Sequence, residues 1–117
     1  MSTKHIYHLA RKEDWQKRTK VYTGSTIDRK DGFLHFSTSK SIKKSAELHR
    51  AGEKDLLLLK VSLEKLKGKD LRWEKSISRG EEFPHLYEDL PVDAVVEVTE
   101  LPLDNQNKHI FPLNLED

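Results

Sequence analysis

Alternating apolar and polar side chains predict a series of short strands along this chain. The segments are rich in aromatic and branched residues and are bounded by turn residues. Predicted strands cover residues 5–10, 33–37, 55–63, 71–76, 83–87 and 92–101. Because side chains of a strand alternate between its two faces, His35 and Ser37 are expected to share one face, as are His85 and Tyr87. In the last strand the alternation places four residues toward the core: Val92, Ala94, Val96 and Val98.

Two segments carry helical patterns instead. Residues 13–20 begin with acidic and end with basic side chains, which complements the helix dipole. Residues 40–51 follow several hydroxyl side chains suited to an N-cap, and Gly52 stands where a left-handed terminating residue is expected. Turn residues at each end of residues 24–32 predict a loop there.

Six short strands with only two helices, and no repeating strand–helix–strand pattern, predict the fold class. We expect an α/β protein of the α+β kind, with one curved mixed sheet of five or six strands and two flanking helices. The 117 residues predict a single domain over 1–117. Its core is expected at about residues 5–101, with a polar tail over 102–117 lying loosely on the sheet.

Composition and charge narrow the function classes. Hydrophobic and charged residues each make up 35% of the chain, and no apolar run approaches the roughly 18 residues of a membrane span. The net charge of +1 lacks the basic excess typical of obligate nucleic-acid binding. The chain has no cysteine, and its first residues lack a signal-peptide pattern, so a cytoplasmic protein is expected. The oligomeric state is left open.

Three of the six histidines, His8, His35 and His85, lie inside apolar strand sequence. A half-buried imidazole needs hydrogen-bond partners, so each one introduces polar groups. Any one of them fits a structural histidine, but the three together predict a shared pocket for a small molecule or nucleotide. The candidate aromatic walls of this pocket are Tyr7, Tyr22, Phe33, Trp73 and Tyr87.

Two charged residues are further candidates for chemistry. Glu74 is placed to orient an imidazole or to act as a general base. Its alternative role is an exposed ion pair with Arg72 or Lys75. Arg79, which precedes Gly80 in a charged loop, could clamp a phosphate; the alternative is a solvated loop charge.

These same segments resemble the family called domain of unknown function 952. The resemblance covers about residues 5–101, and its most specific motifs are Ile6-Tyr7-His8, Gly32-Phe33-Leu34-His35-Phe36-Ser37, Arg72-Trp73-Glu74 and Phe83-Pro84-His85-Leu86-Tyr87. The chain departs from the family pattern at three positions. Asp31 replaces a glutamate, Ser41 a glutamine and Glu88 a glycine.

The family is in turn similar to ADP-ribosyltransferases, and locally to RNA 2′-phosphotransferases. Tyr7-His8 resembles their first-strand motif, and His35-Phe36-Ser37 resembles their second. The resemblance implies a split, barrel-like sheet and a pocket for NAD or a related nucleotide. Cofactor binding is then expected from Tyr7, His8, Ser37 and Tyr87, and catalysis from His35, Glu74 and His85. His8 would position the ribose, and the third catalytic group falls on Glu74 or His85.

Three hypotheses for function follow. The first is an NAD-dependent ADP-ribosyl or glycosyl transferase, or a domain derived from one, that works at the nicotinamide–ribose bond. The second is a binding module without catalysis, tuned to a small metabolite. The third is a hydrolase with a zinc ion on His8, His35 and His85 and with Glu74 as base. This third hypothesis lacks the close His spacing usual for such sites, and no metal site is predicted.

Overall fold

The computed structural model describes residues 3–117. Its strands are β1 (His5–Arg11), β2 (Val21–Tyr22), β3 (Leu34–His35), β4 (Leu56–Ser62), β5 (Leu71–Lys75), β6 (Glu82–Leu86), β7 (Leu90–Pro91) and β8 (Val95–Glu100). The α-helices are α1 (Lys12–Gln16), α2 (Thr26–Asp31) and α3 (Ile42–His49), and 3-10 turns cover Glu64–Leu66 and Val92–Ala94. The mixture of strands and few, short helices confirms the α+β class.

The strands form three antiparallel sheets rather than one curved sheet of five or six strands. The sheets have the orders β1–β4–β8, β2–β7 and β3–β6–β5. The predicted strand 33–37 is divided between two of them, because Leu34 and His35 pair with β6 while Ser37 pairs with Tyr7 of β1. Two reciprocal backbone hydrogen bonds of 2.8 Å join Tyr7 and Ser37. This segment therefore connects the two three-stranded sheets.

Two apolar clusters lie on opposite faces of β1, as its alternating side chains require. Ile6 and Ala10 belong to the cluster that also contains residues of β3 and β6. Tyr7 and Leu9 belong to the second cluster, which α3 and the C-terminal tail cover. The leucine run of β4 is buried on both faces, as its continuous apolar sequence predicts.

The prediction of a loop over residues 24–32 is wrong, because α2 forms there. Ser25 is the N-cap, and its side chain and that of Asp28 bond reciprocally to each other's backbone N–H. Gly32 ends the helix in the left-handed conformation, with φ of 85°. The helix 13–20 is also shorter than predicted, since α1 ends at Gln16 and the chain enters β2 soon after.

The inward face predicted for the last strand is correct at Val92 and Ala94, which pack in the core, and wrong beyond them. The segment begins with a 3-10 turn, which buries Ala94, and a register irregularity lies opposite at Lys60 and Val61. Val95 therefore packs against the core, while Val96 and Val98 are 46% and 43% exposed. No helix within residues 3–117 is long and apolar enough to cross a bilayer.

Candidate functional site

A cavity of about 430 Å³ opens where the two three-stranded sheets meet α2 and α3. His8, His35 and His85, the three histidines singled out from the sequence, all line it. Tyr7 and Ser37 also line it, whereas Glu74 and Tyr87 are not among its lining residues. The volume falls in the range of about 300–1,000 Å³ typical of small-molecule sites.

His8 is buried and both of its ring nitrogens are used inside the protein. Nδ1 donates to the backbone carbonyl of His35 at 2.6 Å, and Nε2 accepts from the Tyr22 hydroxyl at 3.0 Å. This tautomer follows from the hydrogen-bond network. Burial lowers the pKa of His8, outweighing the opposing effect of Asp28, and keeps the ring neutral. His8 therefore braces β1 against β3, and in this arrangement neither nitrogen is available to a ligand.

Asp28 is the buried carboxylate at the centre of the site, and it was not predicted from the sequence. Oδ1 accepts from the backbone N–H and from Nδ1 of His35, at 3.1 and 2.7 Å. Oδ2 accepts from the backbone N–H and the hydroxyl of Ser25, at 2.8 and 2.9 Å. Burial would raise the pKa of Asp28, but these bonds, led by that from His35, lower it overall. The capping-box spacing Ser25-x-x-Asp28 was the signal that could have found it.

His35 is clamped between two carboxylates. Its Nδ1 lies 2.7 Å from Asp28, and its Nε2 lies 3.0 Å from Asp31. Burial would lower the pKa of His35, but the bond from Asp28 and the charge of both carboxylates raise it. With a carboxylate beside each ring nitrogen, the charged form of His35 is favoured. Its chemical role is that of a fixed cation rather than a base.

His85 is oriented differently, by the partners that β5 and β6 bring together. Its Nδ1 donates to Glu74 at 2.9 Å, and the Tyr87 hydroxyl donates to the same carboxylate oxygen at 2.5 Å. The bond from Tyr87, followed by that from His85, lowers the pKa of Glu74, and the same contact raises the pKa of Tyr87. In the neutral ring with its proton on Nδ1, Nε2 is an acceptor, and no hydrogen bond to it is formed within residues 3–117. A carboxylate-oriented imidazole of this kind is suited to general-base chemistry.

The ring of Phe33 holds the two histidines together. Its centroid lies 4.6 Å from that of His35 and 4.2 Å from that of His85. Tyr87 packs on the same ring at 5.0 Å. Phe33 thus provides the aromatic wall expected for the pocket. Trp73, another aromatic candidate, is 40% exposed and does not line the cavity.

Tyr7 and Ser37 sit beside each other on the bridge between the sheets. The Tyr7 ring packs in the second apolar cluster, and its hydroxyl donates to the carbonyl of Glu116 at 2.8 Å. The Ser37 hydroxyl lies 2.7 Å from that of Ser45 on α3. Ser37 is therefore the member of this pair whose polar side chain lies toward α3.

Basic residues also line the cavity. Arg79, singled out in the sequence, does so from the β5–β6 turn. His49 and Arg50, from the end of α3, were missed. A basic helix terminus was their signal, although many solvated helices share it.

The geometry does not favour the zinc hypothesis. In the described part of the chain, no group of three or more His, Asp or Glu side chains is placed to hold a metal ion. The nitrogens of His8 are both engaged, and those of His35 both face carboxylates.

Comparison with known proteins identifies a family that matches the chain and solved structures with a similar fold. The family described as "Protein of unknown function (DUF952)" matches residues 9–98. A crystal structure of protein CC0527 from Caulobacter crescentus is 35% identical, with a TM-score of 0.83, over 91% of this chain and 93% of that one. A solution NMR structure of CC0527 gives 36% identity and a TM-score of 0.75, over 89% and 90% of the two chains. No protein with a curated description matches the chain significantly.

Proposed function

The chain belongs to the DUF952 family, and from the geometry of its cavity we propose that it binds NAD or a related nucleotide and transfers the ADP-ribosyl group. One observation carries the proposal. His85, fixed by Glu74, has an unoccupied Nε2 on the wall of a cavity that also contains the imidazolium of His35. The resemblance of Tyr7-His8 and His35-Phe36-Ser37 to ADP-ribosyltransferase motifs supports the same proposal.

In the proposed reaction, NAD is a substrate and the nicotinamide–ribose bond breaks. The bonding electron pair leaves with nicotinamide, and the ribose carbon gains a bond to the oxygen of an acceptor hydroxyl or of water. His85 Nε2 takes the proton that this oxygen loses. Glu74 stabilises the imidazolium that results, as a carboxylate does when it orients a catalytic histidine.

The protein's other contributions are positioning and charge. Phe33, whose ring centroid lies 4.2 Å from that of His85, gives the cavity an aromatic wall against which a planar ring can pack. Ser37 lines the cavity, and its hydroxyl, which lies 2.7 Å from that of Ser45, is the one that would contact the sugar. His8 acts on this reaction through the bond to the carbonyl of His35, as a positioning residue.

Two measurements test the proposal. Calorimetry is expected to show binding of NAD and ADP-ribose, and chromatography is expected to show release of nicotinamide from NAD. His85→Gln should lower that release by about 10²-fold, because general-base catalysis contributes roughly that much, while changing NAD affinity little. His5→Gln, at the start of β1 and outside the cavity lining, is the matched control. Absence of binding at millimolar NAD and ADP-ribose would refute the proposal.

A second candidate, a binding module without catalysis, is favoured by a specific observation. The two carboxylates that line the cavity, Asp28 and Asp31, both contact His35. Neither is free to stabilise positive charge on a ribosyl carbon. This candidate predicts that NAD or ADP-ribose binds, that Glu74→Gln preserves the affinity, and that even the unmodified protein releases no nicotinamide.

A further inference from the structure

Arg79 presents a guanidinium to the cavity without an acidic partner. It lies in the turn between β5 and β6, and its Nη1 donates to the hydroxyl of Ser45 at 2.8 Å. The guanidinium stacks over the ring of Phe83, 4.4 Å from its centroid. No carboxylate within residues 3–117 comes within 4.0 Å of it. An arginine has five N–H donors, so several of those of Arg79 remain for a ligand.

The contacts of Arg79 hold it in place. Ser45 is buried on α3, and its hydroxyl also contacts that of Ser37 at 2.7 Å. The turn itself is closed by the Gly80 N–H, which donates to the carbonyl of Ser76 at 2.8 Å. Because the guanidinium is fixed in advance, less side-chain entropy is lost when it binds an anion.

The same wall has an excess of positive charge. Arg50 pairs with Glu53 at 3.2 Å, but Glu53 also pairs with Arg11 at 3.0 Å, so one carboxylate serves two guanidiniums. Burial lowers the pKa of His49, and so do the positive charges of Arg79, His35 and Arg50 around it. The acidic side chains of the cavity are both in contact with His35. An anionic ligand group would relieve this imbalance.

We propose that Arg79, Ser45, His49 and Arg50 form a phosphate-binding subsite of the cavity, which selects phosphorylated ligands over neutral ones. A phosphate fits better than a carboxylate because it offers three oxygens to an arginine fork and a hydroxyl at once. Assigning this group to the diphosphate of a dinucleotide rests on the proposed function. The subsite itself rests on the contacts of Arg79.

Inorganic pyrophosphate is the direct probe of this subsite. In ¹⁵N-edited NMR titrations of the whole chain, it is expected to shift the Nε–H signal of Arg79 and the backbone amide of Ser45. Arg79→Gln should weaken pyrophosphate binding at least about tenfold, as expected for loss of a charged hydrogen bond, and Arg79→Lys should weaken it less. Arg18→Gln is the matched control, since Arg18 also stacks on an aromatic ring, that of Trp15, but does not line the cavity.

The outcomes separate this inference from the proposed function. Absence of pyrophosphate shifts, or equal loss of affinity in Arg79→Gln and Arg18→Gln, would overturn the subsite. The second experiment compares the binding of ADP-ribose with that of adenosine. Arg79→Gln is expected to weaken the binding of ADP-ribose and to leave that of adenosine unchanged. If ADP-ribose binds but Arg79→Gln leaves its affinity unchanged, the subsite is refuted while the nucleotide pocket is still supported. If pyrophosphate binds at Arg79 but neither NAD nor ADP-ribose binds, the subsite is supported and the proposed function is refuted.

Discussion

His35 and Asp28 show how one buried carboxylate sets the properties of a whole site. Asp28 accepts four hydrogen bonds, two from His35 and two from Ser25. A carboxylate with that many donors stays ionised even when buried. Its charge in turn raises the pKa of His35 and favours the cation. The site therefore contains two imidazoles of different character, the charged His35 and the base-like His85.

The charge of His35 predicts a pH-dependent contribution to stability. Its folded pKa is raised above the unfolded value of about 6.5. The stabilisation is therefore fully present below about pH 6.5 and is lost as the pH rises through the folded pKa. The free energy of unfolding that His35→Gln removes should be larger at pH 5.5 than at pH 9, as measured by urea denaturation. His5→Gln, whose residue contacts neither Asp28 nor Asp31, is the control; an equal or larger loss at pH 9 would contradict the prediction.

Among individual residues, the sequence predicted which histidines line the cavity, but it did not predict the role of each one. His8, His35 and His85 were singled out because an imidazole among apolar residues needs partners, and all three line the cavity. The hydrogen-bonding states of His8 and His35 depend on Tyr22, Asp28 and Asp31, which come from other segments. Periodicity within a strand carries no information about these partners.

Among the elements, α2 has the largest effect on the site, since its first turn carries Asp28. Gly24, just before the helix, lets the chain approach closely. Its φ is +86°, and a Cβ there would overlap the Leu34 side chain and lie 2.8 Å from the Cβ of Asp28. This position therefore requires glycine both for its backbone conformation and for space.

Gly24→Ala is expected to lower the free energy of unfolding by about 2–4 kcal/mol, as the sum of a left-handed alanine and a steric overlap. Gly68→Ala is the matched control, because φ there is +82° but no atom lies within 4 Å of the added Cβ. It should cost about 1 kcal/mol. Chemical denaturation of both variants measures the difference, and equal losses would show that the close approach is unimportant.

The elements that the sequence located are those with strong periodicity. β1, β4 and α3 lie close to their predicted ranges because each has a clear apolar face or run. The helix α2 was missed because its glycines predicted turns, while they in fact flank it as the residue before the N-cap and the C-cap. The face of β8 was wrong at Val96 and Val98 because the segment begins with a 3-10 turn and the pairing of β4 with β8 shifts by one residue, which exchanges the two faces.

For the whole molecule, the C-terminal tail completes the second apolar cluster. Phe111 and Leu115 pack against it, and the Tyr7 hydroxyl donates to Glu116. Lys60 of β4 pairs with the Glu116 side chain at 3.0 Å. The tail, expected to lie loosely on the sheet, is thus attached by specific contacts to β1 and β4.

Two leucines of the tail provide a matched test of that attachment. Leu115 packs against the cluster, whereas Leu113 is 98% exposed. Leu115→Ala should lower the free energy of unfolding by about 1–2 kcal/mol, the transfer free energy of a partly buried leucine, and Leu113→Ala should change it by less than about 0.5 kcal/mol. Thermal or urea unfolding of the two variants measures both losses. Equal effects would mean that the tail contributes nothing to the cluster.

The arrangement of the sheets was the part of the fold least accessible from sequence. Strand patterns predicted six strands and an α+β class, but pairing between distant strands depends on contacts that no local pattern records. The segment Leu34–Ser37 reads as one uninterrupted strand, yet it pairs first with β6 and then with β1. His35, Phe36 and Ser37, where the partner changes, line the cavity.

The bridge between Tyr7 and Ser37 has a consequence for how the cavity can respond to an occupant. In the described part of the chain, two reciprocal backbone hydrogen bonds join β1 to the segment that leaves β3. A ligand that pushes the two sheets apart would lengthen these hydrogen bonds, whereas a ligand that fits the existing cavity would leave them unchanged. The deuterium uptake of just these two amides therefore reports whether the walls are rigid or spread apart, for any compound and without knowledge of its chemistry.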